Sequence, residues 1–185
     1  MSYIFRMRTR EELVAFLEAG GTADYLLFWG HTPKGERVDA SCLSQWFPHA
    51  FTVGGLRYAT AEHFMMAEKA RLFRDEAALS RILDARSPAE AKAIGREVRG
   101  FDADAWDRAR FDAVVRGNVA KFGGSPELAT FLRSTGTKVI VEASPRDRIW
   151  GIGMGASNPD ARLPARWRGR NLLGFALLET RAQLA

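Results

Sequence analysis

The stretch TAEHFMMAEKARLF, residues 60–73, decides how the chain is read. It has the composition of a helix, and Thr60 is of the type that caps one. Glu62 and Lys69 stand seven residues apart. At 100° per residue they share nearly one face, about 10 Å apart along the axis. Met66 lies between them on that face, and Tyr58 and Phe73 flank the helix. Two readings follow. Glu62 in the first turn is favoured by the helix dipole with no chemical role, and Lys69 is then a solvated surface cation. Alternatively, both groups look into a cleft bordered by apolar side chains, where burial shifts their pKa values.

Working outward, local signals set the remaining elements. TREELVAFLEAGG opens with a capping box, Thr9 with Glu12, and stops at Gly20. DYLLFWG is a short strand, and AFTVGGLRYA is a hairpin turning at Gly54-Gly55. After the opening helix come helices over DEAALSRILDA, SPAEAKAIGREV, DADAWDRARFDAVVRGNVAKFG (ending near Gly123) and SPELATFLRST. The first SP segment carries a capping box with Pro88 at the first helical position. TKVIVEAS is a β-branched strand. The long loop PRDRIWGIGMGASNPDARLPARWRG precedes a final helix, NLLGFALLETRAQLA. Loops of that length inside a domain point to function. The expected class is α+β: a mostly helical single domain over residues 1–185 with a small antiparallel or mixed sheet.

Composition bounds the functional classes. The chain has 185 residues, 46% hydrophobic and 26% charged, which fits one domain with a sizeable core. A single cysteine, Cys42, excludes an internal disulfide and any cysteine-based zinc cluster, and suits a reducing cytosol. His31, His49 and His63 lack HExxH spacing, so no metal is expected. The start MSYIFRMRTREELV lacks the apolar run of a leader, and no stretch approaches the ~20 apolar residues of a membrane span. A soluble cytoplasmic protein is the expectation. The net charge of +5 and pI near 9.8 favour phosphate-bearing partners, although the basic residues form no dense block.

Several motifs carry possible chemistry. GIGMG, residues 151–155, lacks the third glycine spacing and the following helix of a dinucleotide fingerprint, so a Rossmann reading is rejected. Gly151 and its neighbours either admit a ligand close to backbone N–H groups or permit tight turns. Trp106, Trp150 and Trp167 stand beside arginines, an arrangement suited to stacking on a base and pairing with phosphate, or to plugging the core edge. Ser44 and Gln45 offer a hydroxyl and an amide for a heterocycle's edge, or for a turn. Arg148, Arg168 and Arg170 are candidate phosphate contacts. Asp147 orients a ribose hydroxyl or pairs with an arginine, and Asn171 is either a ligand contact or the cap of the last helix.

Taken in order, LSQWFPHAFTVGGLRYATAEHFMMAEKARLF, DAWDRAR, DRIWGIG and WRGRNLLGFALLETR resemble the blocks of the NADAR (YbiA-like) family. The likeness runs over roughly residues 25–182 and leaves the helix at 9–20 as an extension. The family hydrolyses N-glycosidic bonds. Its substrates are phosphoribosylamino-pyrimidine intermediates of riboflavin synthesis and guanine carrying ADP-ribose. The resemblance implies an N-glycosidase without a cofactor, with Glu62 and Lys69 catalytic and Trp106 and Trp150 in the site. Members fitted to the riboflavin role carry Asp where this chain has Ile152 and Asn where it has Gln45. Two routes suit the residues: Glu62 as general base on water, or Lys69 attacking C1 of a ring-opened glycosylamine. The competing classes are a non-catalytic ADP-ribose or nucleotide reader, and a nucleic-acid-binding protein with steep salt dependence.

Overall fold

In chain order, helix α1 (Arg10–Glu18) leads to strand β1 (Tyr25–Phe28), a 3-10 turn (Ala40–Leu43), and strands β2 (Phe51–Val53) and β3 (Leu56–Tyr58). Helices α2 (Ala61–Leu72), α3 (Glu76–Leu83), α4 (Pro88–Arg96) and α5 (Ala103–Gly123) follow. Helix α6 (Pro126–Ser134), strand β4 (Val139–Glu142), two 3-10 turns (Pro159–Arg162 and Pro164–Arg166) and helix α7 (Leu172–Gln183) complete the order. This computed structural model describes residues 7–185; residues 1–6, where the segment read for a leader begins, lie outside the described residues. The class is α+β with helix predominant. The strands form two separate pairs, β1–β4 parallel and β2–β3 antiparallel.

The caps form largely as the sequence predicts. Thr9 and Glu12 make both halves of their box, and the Thr60 side chain accepts from the His63 N–H. Ser87 accepts from the Glu90 N–H with Pro88 at the helix start, but the Glu90 carboxylate accepts from the Arg86 N–H (2.8 Å), one residue beyond the expected partner. Gly54 and Gly55 both have positive φ (57° and 78°), the backbone that a two-residue hairpin turn requires.

The chain packs as two compact units. One comprises the described residues up to Ser44 together with Pro126–Ala185. Its parallel pair runs in register from Tyr25 opposite Val139 to Phe28 opposite Glu142. Val139, Ile140 and Val141 are fully buried, as expected of a parallel strand covered on both faces. Helix α7 packs on β4, and α1 packs on the 3-10 turn at Pro164–Arg166. Burial lowers the pKa of Arg181 to about 10, while its guanidinium donates to Thr135 Oγ1 and the Lys138 carbonyl.

The other unit, Gln45–Ser125, is built around α2, which packs against α3, α4 and α5. At Gly95 on α4 a Cβ would run into the Met66 side chain, so with glycine there the two helices approach closely without displacing it.

Asn171 begins α7 with φ 55°, and its side chain makes no helix cap. Instead Oδ1 accepts from the Glu142 N–H (2.9 Å) and Nδ2 donates to the Ile140 carbonyl (3.0 Å). Asn171→Gly keeps the left-handed backbone but removes this clamp. It is expected to lose about 2–4 kcal/mol of unfolding free energy in urea, for two buried backbone groups left unpaired. A loss below about 1 kcal/mol would mean the clamp is dispensable.

Candidate active site

Helix α2 carries the two groups singled out by spacing, and both are buried: Glu62 is 2% exposed and Lys69 9%. The surface-pair reading is therefore excluded by burial. Lys69 Nζ donates to the Gly95 carbonyl (2.6 Å) and lies 4.0 Å from the centroid of the Phe101 ring. Phe101 in turn meets Phe73 edge-on. Burial holds the Lys69 ammonium below the ordinary lysine pKa, because the charged form loses its hydration. The result is an amine fixed in direction and easier to deprotonate.

The first turn of α2 is held from two sides. The Glu62 N–H donates to the Gln45 main-chain carbonyl (2.9 Å). Next to Glu62, His63 is buried with Nε2 3.1 Å from the Ala85 carbonyl and Nδ1 2.8 Å from Thr60 Oγ1. A carbonyl only accepts, so Nε2 carries the proton and Nδ1 accepts from the threonine hydroxyl. Burial lowers the His63 pKa, consistent with a neutral ring.

Trp106, 9% exposed on α5, does not stand on the Glu62–Lys69 stripe. It lines a cavity of about 460 Å3 with Glu68, Arg71, Leu72, Asp112 and Arg116. The α2 members of that set, Glu68, Arg71 and Leu72, centre on a direction roughly 120° around the helix from the Glu62–Lys69 stripe. Glu68 bridges the two guanidinium groups there, at 2.7 Å to Arg71 and 2.5 Å to Arg116.

The other unit gathers the remaining candidates into one loop cluster. Asp147 Oδ1 accepts from the N–H groups of Ile149 and Trp150, so its carboxylate shapes the turn. Backbone bonds from Arg170 N–H to the Arg148 carbonyl and from Asn171 N–H to the Gly151 carbonyl tie the two ends of the loop together. Arg148, Arg168 and Arg170 are exposed on this cluster, and Trp150 is half-buried. Trp167 is core: its indole N–H donates to the Ala161 carbonyl and its ring meets Tyr25 edge-on. Ser44 ends the 3-10 turn, its N–H donating to the Ser41 carbonyl.

Spacing alone passed over Arg110, Asn118 and Lys121. All three are buried on one face of α5. A polar residue recurring in the apolar stripe that contains Val114 and Gly117 was the signal available.

The Lys69 shift has a consequence for stability. The unfolded chain binds the Lys69 proton up to pH 10.5 and the folded chain releases it earlier, so stability rises with pH through that window. In wild type minus Lys69→Met, the unfolding free energy is expected to move in favour of wild type as pH rises toward 10.5. A pH-independent difference between the two proteins contradicts the depressed pKa.

Comparison with known proteins gives the family. The NADAR domain family matches residues 27–185. N-glycosidase R617 of Acanthamoeba polyphaga mimivirus is 39% identical over 88% of this chain and 97% of its own length. The maize chloroplastic riboflavin biosynthesis protein PYRR is 32% identical over 69% of this chain, which corresponds to 20% of that larger protein. The NMR structure of the Escherichia coli protein YbiA aligns with a TM-score of 0.68 and 26% identity, covering 88% of this chain and 86% of YbiA. With the match spanning all but its first residues, the chain belongs to the NADAR domain family.

Proposed function

We propose that this chain is an N-glycoside hydrolase that cleaves between ribose C1 and an amino nitrogen of a nucleobase-like group, with Glu62 and Lys69 as the working pair. The observation that carries this reading is the burial of both groups on one face of α2, with the Lys69 ammonium disfavoured by desolvation. Relatives named N-glycosidases support the bond class. Among substrates, ADP-ribosylated guanine is favoured. Position 152 is a fully buried isoleucine, with no carboxylate to offer a riboflavin-pathway intermediate. Phosphoribosylamino-pyrimidines are the second reading, supported by the likeness to PYRR.

The Schiff-base route makes best use of the amine. The glycosylamine opens, C1 becomes an imine to the base nitrogen, and neutral Lys69 Nζ adds to C1. Expulsion of the base as a free amine leaves C1 doubly bonded to Nζ, with Glu62 supplying the proton taken by the leaving nitrogen. Water then adds, and the sugar leaves with a free anomeric carbon as Lys69 is regenerated. In the direct route, Glu62 instead takes a proton from water while an oxocarbenium-like sugar separates from the base. Arg148 and Arg170 are the proposed phosphate contacts on their own chemistry, with fixed charge and fork geometry. A non-catalytic reader is the competing class, but it has no need of a buried amine and carboxylate together.

Incubation with an oligonucleotide ADP-ribosylated on guanine, and separately with a phosphoribosylamino-pyrimidine, tests the reading. Release of free ADP-ribose or ribose phosphate is expected. Glu62→Gln should lower the rate by about 10²–10⁴ with the fold retained. Borohydride with substrate should trap an adduct on Lys69. Absence of an adduct together with an active Lys69→Arg would rule out the Schiff-base route, and binding without release from either substrate would make the protein a reader.

A further inference from the structure

Gln45 and Asn118 form a buried amide pair whose polarity is fixed. Asn118, fully buried on α5, donates from Nδ2 to the Val114 carbonyl (2.9 Å) and to Gln45 Oε1 (2.9 Å). A main-chain carbonyl only accepts, so the Val114 bond settles which end of the Asn118 amide is nitrogen. That in turn makes Gln45 Oε1 the acceptor and leaves Nε2 as its outward end. The buried Oδ1 of Asn118 accepts from no protein group, and the Gln45 side chain is bonded through Oε1 alone among the described residues. A buried acceptor left unsatisfied in such a pair calls for a partner from outside the protein, a water or a ligand. Its position is not arbitrary, since the Gln45 main-chain carbonyl receives the Glu62 N–H at the start of α2.

We propose that Gln45, oriented by Asn118, is a specificity determinant that presents an N–H donor to a ring carbonyl of the substrate's heterocycle. This rests on the hydrolase reading above and narrows it. The substrates taken are oxo-heterocycles, and a ring with an amino group at the same place meets donor against donor. Asn118 is a positioning residue: it sets the direction of the Gln45 amide.

The test compares two oligonucleotides carrying ADP-ribose on the same 2-amino group, one on guanine and one on 2,6-diaminopurine, in which an amino group replaces the carbonyl. Wild type should prefer guanine by about 100-fold in kcat/KM, as a buried hydrogen-bonding site discriminates. Asn118→Leu removes the donor that holds Oε1, leaves the Gln45 amide free to turn and should collapse that ratio, raising the rate on diaminopurine while lowering it on guanine. Gln45→Glu, which removes the donor without changing size, should collapse it as well. Equal treatment of both substrates by wild type, or variants that slow both substrates alike, overturns the assignment. Binding of free guanine and 2,6-diaminopurine, followed by NMR, separates this from failure of the hydrolase reading. A protein that cleaves neither oligonucleotide but still prefers guanine keeps the donor assignment and loses the activity, whereas equal binding overturns the donor.

Discussion

Desolvation of α2 is the constraint on which the helical unit depends. Nine of its 12 residues are buried, among them a carboxylate, an imidazole and an amine. Burying such groups is costly unless each finds a partner or gives up its charge. His63 is met by Thr60 and Ala85, and Lys69 by the Gly95 carbonyl. Gly95 therefore serves twice: its missing side chain makes room for Met66, and its carbonyl fixes the amine one turn further along α2. Packing and electrostatics are set by the same contact.

The unit containing the sheet pair solves a different problem. A long irregular loop must be held without regular secondary structure, and its backbone polar groups need partners. The loop answers by pairing its two ends, Arg148 with Arg170 and Gly151 with Asn171. Asp147 closes the intervening turn, and the Asn171 amide grips β4. Arg148, Arg168 and Arg170 are exposed on this cluster.

Chemistry follows from these two settings. An amine held below its ordinary pKa has a larger neutral fraction near neutral pH, which is the form that attacks a carbon. Glycosylamines open to imines, so they present a carbon that such an amine can reach. Relatives named N-glycosidases give the bond class, and the buried pair is the proposed means of cleaving it.

Much of the fold was legible locally. Thr9 with Glu12, Thr60, Ser87-Pro88 and Gly54-Gly55 act within a few residues, and each produced its element. The clamp made by the Asn171 side chain was not legible, because its partners, Glu142 and Ile140, are distant in sequence. The Trp106 cavity likewise needed α5 laid beside α2. By itself the sequence determined the elements, the Glu62–Lys69 spacing and the family blocks, since these are properties of short segments. Only the tertiary structure decided that the pair is buried, that the amine is depressed and that Gln45 is turned by Asn118. Burial and amide polarity are set by neighbours brought from elsewhere in the chain, and no local pattern encodes them.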